Sequence, residues 1–177
     1  AEGLDAYAVR RLGMSFRDVD WTVWNWLLDR VRHPRHEVTV ALVGKYVELQ
    51  DAYKSIDESL LIASIYNDRK LDLRLIHSEK INDANAAELL ADLDGVVIAP
   101  GFGQRGVEGK FAALRYLREH DIPTLGICLG MQCKVIEYAR NVLGFKDANT
   151  SEIESNIEHK VIDLMDEQKT VTDMGGS

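Results

Sequence analysis

The chain has 177 residues, 46% hydrophobic and 28% charged, with a formal net charge of −8; this fits one soluble globular domain plus an arm and excludes a wholly disordered chain. The acidic balance argues against nucleic acid as a partner, which needs clustered Lys and Arg. No apolar run approaches the roughly 20 residues that span a bilayer, and the N-terminus lacks a signal-peptide pattern, so the expectation is a cytoplasmic protein with no membrane partner.

The first 37 residues stand apart as an arm, with a domain expected over 38–177. Asp20 stands where a helix cap is expected, Trp24, Leu27, Leu28 and Val31 form one apolar stripe, and His33-Pro34 ends the helix. The tryptophans at 21, 24 and 26 read as packing of this arm against the domain rather than as a ligand box.

From residue 38, short β-rich runs alternate with amphipathic stretches. Strands are expected over 38–43, 71–76, 95–99 and 124–127, and helices over 52–66, 84–91, 107–119 and 129–140. Leu71, Leu73 and Leu75 alternate with Asp72 and Arg74, the pattern of a half-exposed edge strand. Val107, Phe111, Leu114 and Leu117 recur at helical spacing and are expected to face the sheet, leaving Arg115, Arg118 and Glu119 to water. Four βα units of this kind predict an α/β fold, a flavodoxin-like doubly wound parallel sheet covered on both faces. Ligands of such sheets bind at the carboxyl ends of the strands, so chemistry is expected in the loops after Val43, Ala99 and Ile127. Beyond Asn141 the pattern loosens to a single apolar run at 161–165.

Cys128 and Cys133 are the two cysteines; on one helix they would lie about 140° apart at roughly 100° per residue, which makes a disulfide implausible. They have no His or Cys neighbours at metal-ligand spacing, so no metal site is expected. Gly126 and Gly130 flank Cys128 at minus two and plus two, the spacing of a sharp strand-to-helix elbow. Such a turn is crowded and presents its nucleophile at a helix N-terminus, where unpaired N–H groups and the dipole attract negative charge. The Leu129 N–H is then placed for a developing oxyanion. A free cysteine is otherwise most often a small buried hydrophobe, which is the reading kept for Cys133.

A second segment, the strand 95–99, empties into a glycine-rich loop before a helix. It has neither a P-loop nor a Gly-x-Gly-x-x-Gly spacing, so glycine content alone is a weak nucleotide signal. Gly101, across neighbouring strand ends from Cys128, offers a second oxyanion N–H that Pro100 cannot.

The elbow Gly126-Ile127-Cys128-Leu129-Gly130-Met131-Gln132 resembles the nucleophile motif of class I glutamine amidotransferases. Together with Gly103-Gln104-Arg105-Gly106-Val107-Glu108-Gly109-Lys110, Ala41-Leu42-Val43-Gly44-Lys45-Tyr46 and Asp51-Ala52-Tyr53-Lys54-Ser55, it is similar to the CTP synthase family. Residues 3–37 resemble that family's connector from a synthetase domain, and Thr172-Asp173-Met174-Gly175-Gly176 a stretch late in its amidotransferase domain. The resemblance implies Cys128 as nucleophile and Gly101 and Leu129 as oxyanion contacts. It implies Gly130, Met131 and Gln132 as the rest of the glutamine pocket, and Glu152 as the acid at glutamine's amino-acid end. Phe102, Arg105 and Glu108 match a lid that senses GTP, the family's allosteric activator. Pro100 departs from the pattern, because many members carry glycine there. The resemblance also implies ATP, magnesium and UTP in a synthetase domain outside this chain, no cofactor within it, and a homotetramer.

The family's proton shuttle is a His backed by a Glu, late in the chain. Of five histidines, only His159 follows Cys128, in a polar run that reads as surface. The chain is therefore expected to be a piece of the enzyme and inactive alone. Two other readings stay open on the residues: another class I amidotransferase that shares the elbow, and a flavodoxin-like binding module in which Cys128 is structural or redox-sensing.

Overall fold

A computed structural model describes residues 3–15, 17–49, 51–154 and 156–165. Strands β1 (His36–Gly44), β2 (Arg69–His77), β3 (Gly95–Ile98) and β4 (Thr124–Gly126) form a parallel sheet in the order β2-β1-β3-β4. The chain runs from β1 outward to β2, then returns to the other side for β3 and β4, so the order reverses at β1 and β3 as in flavodoxin-like sheets. Helices follow each strand in turn: α3 (Lys54–Tyr66), α4 (Ala86–Leu90), α5 (Val107–Glu119) and α6 (Leu129–Asn141). All four expected units are present, with ends displaced by no more than two residues.

Alternation along the central strands divides two apolar layers. Ala41, Val43, Val96 and Ile98 pack with Ala113, Leu114 and Leu117 of α5 and with Leu129 and Cys133 of α6. Leu42, Val97 and Ala99 point to the opposite face, against Tyr53 and Ile56, Leu60 of α3. Strands buried on both faces read as unbroken apolar runs, which is why 40–43 and 96–99 carry no polar residue. At the β2 edge Leu71 and Leu73 are half-buried, whereas Leu75, expected with them, is exposed.

Two quoted motifs meet here. The Tyr53 ring lies where a Gly44 side chain would project, about 2.8 Å from an added Cβ, and its hydroxyl accepts the Tyr46 N–H at 3.3 Å. Likewise Gly109 of α5 rests directly on the Ser78 carbonyl, in the 3₁₀ turn Ser78–Lys80. Gly106 and Gly109 thus let the start of α5 approach this turn.

The face of α5 away from the sheet corrects one expectation. Arg118 does not simply meet water: its Nε and Nη2 donate to Glu137 of α6 at 2.9–3.1 Å, and Glu137 is 2% exposed. A buried carboxylate needs such a partner.

The arm holds α1 (Leu4–Arg11) and α2 (Thr22–Arg32). Asp20 accepts the Thr22 N–H at 2.9 Å, and α2 ends at His33 as the sequence suggests. The expected packing is narrower than the stripe implies. Trp26 meets Tyr66 edge-on at 5.3 Å, and Arg30 donates to the Tyr66 carbonyl at 2.6 Å. Trp21, Trp24, Leu28 and Val31 are exposed. Helix α2 touches the domain through its 26–30 face, which lies over the end of α3; beyond it Arg35 pairs with Asp68 at 3.0 Å, and His36 and Glu37 already belong to β1. Two short strands, β5 (Asn149–Thr150) and β6 (Lys160–Ile162), pair after α6. Among the described residues no helix is long and apolar enough to cross a membrane, and residues 172–176 lie outside them.

Candidate active site

At the end of β4 the Ile127 N–H donates to the Ile98 carbonyl at 3.0 Å, holding the chain against β3 until it turns. Cys128 makes that turn at φ 52, ψ −115 and Leu129 opens α6. Among the described residues two other non-glycine residues have positive φ, Asp68 and Asp121, but Asp tolerates the left-handed region and this ψ lies outside it. Such a conformation costs on the order of 1–3 kcal/mol and persists only where its surroundings fix it. The fixing is steric. A Cβ on Gly126 would lie 2.6 Å from the Gly130 carbonyl and the Met131 nitrogen, and one on Gly130 would run into the Ile98 carbonyl. The expected elbow is therefore present, with both flanking glycines required by contact.

Cys128 is exposed and Cys133 is fully buried, both as free thiols. Burial pushes the Cys133 thiol up to about 11, against a weaker opposing pull from Lys110. Among the described residues the N–H groups of Leu129 and Gly101 meet no acceptor, while the Gly130 N–H is taken by the Ile127 carbonyl at 2.9 Å. An added Cβ on Gly101 would stand 3.9 Å from the Leu129 side chain and 3.3 Å from the Lys45 stem. The loops after β3 and β4 are therefore in contact, and each carries a free N–H, that of Leu129 directly following the exposed Cys128.

Gln132, one turn into α6, donates its backbone N–H to the Cys128 carbonyl at 3.1 Å. Its side-chain Oε1 is buried and, among the described residues, accepts nothing. Met131 is exposed. Glu152 is exposed on the turn after β5, its N–H donating to Thr150 Oγ1 at 3.3 Å. That turn is tied to the glycine loop, since Gln104 Nε2 donates to the Ile153 carbonyl at 3.1 Å.

Of the lid candidates, Phe102 and Arg105 both approach the Lys45–Tyr46 corner, through Lys45 and the Tyr46 ring, while Glu108 faces another groove. Phe102 stands 78% exposed. Arg105 pairs with Glu79 at 2.7 Å and lies 5.4 Å from the Tyr46 ring centroid. Glu108 lines a groove of about 320 Å³ with Asp83, Phe111, Arg115 and Arg140, between α5 and α6.

Two lysines escaped the sequence reading. Lys45, after β1, is 6% exposed and donates to the Phe102 carbonyl. Lys110, on α5, is 1% exposed and donates to the Ala99 carbonyl at 2.7 Å. Desolvation holds the Lys110 ammonium below the ordinary lysine value; Lys45 adds to this, while Cys133 and Cys128 oppose it. A signal existed: Lys110 sits at helical spacing between Val107 and Leu114, within the apolar stripe of α5.

His159 does not approach the thiol. Its Nδ1 lies 2.6 Å from Asp147 Oδ1 and its ring stacks on Phe145 at 4.4 Å. Residues 145–148 are bound to the last turn of α6, through Phe145 N–H to Ala139 and Arg140 to the Ala148 carbonyl. The 13 residues of α6 span about 20 Å, so this pair belongs to the opposite end of the helix from Cys128. Among the described residues no group of three His, Cys, Asp or Glu side chains could hold a metal ion.

The family model described as glutamine amidotransferase class-I matches residues 48–174. A CTP synthase of Porphyromonas gingivalis is 69% identical over 175 residues, covering 98% of this chain and 32% of that protein. One of Flavobacterium psychrophilum is 52% identical over 177 residues, covering 99% and 33%. A solved structure described as the Trypanosoma brucei CTPS glutaminase domain with bound acivicin aligns at TM-score 0.68 and 38% identity, over 73% of this chain and 50% of that one. The chain spans about a third of the length of the curated relatives it matches.

Proposed function

This chain belongs to the class I glutamine amidotransferase family, and we propose that it is the glutamine-hydrolysing portion of a CTP synthase, with Cys128 as nucleophile. The observation that carries the reading is the strained, exposed Cys128 followed by the free N–H of Leu129, against whose side chain the Gly101 loop lies. The sulfur attacks the carboxamide carbon of glutamine, and the N–H groups of Leu129 and Gly101 receive the charge that develops on its oxygen. The carbon–nitrogen bond then breaks, ammonia leaves with the proton from the thiol, and a thioester remains on Cys128. Water cleaves the thioester to release glutamate. No step passes through His159, which is engaged with Asp147 at the far end of α6.

In this reading Gly130 and Met131 shape the glutamine pocket, the buried Gln132 Oε1 supplies an acceptor, and Glu152 holds the amino-acid end. Ammonia passes to UTP activated by ATP and magnesium in a synthetase domain that residues 3–37 adjoin. The whole enzyme works as a homotetramer in the cytoplasm. GTP acts through Phe102, Arg105 and Glu108. A nucleotide that recruits Arg105 has to compete with Glu79, so Arg105 is the residue whose contacts GTP would change.

Acivicin, an electrophilic amino acid, tests the glutamine site directly. Treatment followed by peptide mass spectrometry is expected to give one adduct, on Cys128, formed more slowly when glutamine is present. Equal modification of Cys128 and Cys133 without protection by glutamine would replace this reading with that of a binding module.

A further inference from the structure

Lysine is almost never fully buried without a charged partner. Lys45 and Lys110 are both buried, and among the described residues neither forms an ion pair with a carboxylate. Each instead uses its ammonium on a backbone carbonyl of one short loop: Lys110 on Ala99 and Lys45 on Phe102. The two come from different elements, α5 and the end of β1, and so grip the loop at both ends. Between the gripped carbonyls lie Pro100, whose φ is fixed by its ring, and Gly101, which rests on the Lys45 stem and beside Leu129. Fixing the carbonyls on either side restricts rotation of the peptide between Pro100 and Gly101, whose N–H is free.

We propose that Lys45 and Lys110 are positioning residues that hold the loop 99–103 with the Gly101 N–H aimed at the oxyanion formed at Cys128. This rests on the reading of Cys128 as the glutaminase nucleophile. Burying two ammonium groups against carbonyls is unfavourable for folding alone, and their effect is concentrated on one catalytic donor. An oxyanion donor is used more fully in the transition state than with bound substrate. The lysines therefore act on kcat rather than on the affinity for glutamine.

The test measures glutamine hydrolysis by the full-length protein that carries this chain, comparing wild type with Lys45→Met and Lys110→Met, which keep a side chain of similar length. The expected result is a fall in kcat of about tenfold or more in each variant, with KM for glutamine within about threefold and iodoacetamide still alkylating Cys128 at the wild-type rate. A purely structural role would leave kcat of the folded protein unchanged. Should one variant fail to fold, as judged by circular dichroism, the other decides. Variants that fold and retain kcat within twofold overturn the proposal. Failure of the underlying reading is separate, because wild type itself would then show no glutamine-protected labelling by acivicin.

Discussion

Helix α6 carries a chemically suggestive group at each end, and the two ends are built on opposite principles. At its N-terminus Cys128 is strained, its sulfur is exposed, and the N–H groups of Leu129 and Gly101 are unengaged. At its C-terminus His159 and Asp147 look like two thirds of a triad, yet they are engaged with each other and with their surroundings. Asp147 accepts from the His159 ring and from the backbone N–H groups of Glu158 and His159, and Phe145 stacks on the imidazole. A satisfied pair stabilises a turn; a site for chemistry keeps donors in reserve and holds its backbone where relaxation would lose them.

Glycine replacement sharpens the contrast, because each end of α6 has one glycine needed for a different reason. Gly130 is limited by space, since a methyl there meets the Ile98 carbonyl. Gly144 has open space around it and is limited only by φ 83. Gly130→Ala is expected to cost about 1–3 kcal/mol by overpacking and to abolish acivicin labelling, because the elbow has to open. Gly144→Ala is expected to cost about 1 kcal/mol of backbone strain and leave labelling intact. Urea unfolding and adduct formation measured on both variants check this; equal loss of labelling would mean the two ends are coupled.

The two thiols of the elbow region differ as sharply. Cys133 is raised from an ordinary 9.0 to about 11 by burial. The unfolded chain therefore loses this proton near pH 9 while the folded one keeps it. Stability from this group is present below pH 9 and lost as pH rises toward 11, by about 2–3 kcal/mol in total. Lys110 works in the other direction, since its lowered value favours folding as it discharges. Comparison with Cys133→Ala isolates the thiol: stability of the variant should fall less steeply between pH 9 and 11. Parallel curves would show that Cys133 is not held as a thiol.

The fold was legible because its signals were local: strand and helix periods, and glycines at plus and minus two around one cysteine. The unread parts depended on where side chains meet in space. Arg118 on α5 read as surface, and its pairing with the buried Glu137 of α6 appears only when the helices pack. The arm misled for the opposite reason: its apolar stripe is real, but the described domain covers only the Trp26–Arg30 side. Lys110 was legible in principle as a charge inside an apolar stripe, whereas Lys45 lies in a loop whose burial no periodicity reports. Of the site, the Cys128–Leu129 turn was readable because the glycines at plus and minus two dictate it. Arg105 was not, since its engagement with Glu79 joins residues 26 positions apart.

The smallest effect belongs to His159, and it is the one that separates a resemblance of groups from a working site. The His159 ring, first, and its backbone N–H hold the Asp147 carboxyl below its ordinary value. A depressed carboxylate contributes stability above its unfolded value of 3.8, and the contribution is lost as pH falls through the folded value. Asp147 is open to solvent, where such pairs are screened and weak. His159→Ala should therefore lower the thermal midpoint slightly at neutral pH, with the gap from wild type closing as acid protonates Asp147. Because the pair sits beyond the far end of α6, Cys128 labelling by acivicin should proceed at the wild-type rate. A tenfold loss of labelling in a folded His159→Ala protein would place this histidine in the reaction, and would end the distinction between the satisfied and the reserved ends of the helix.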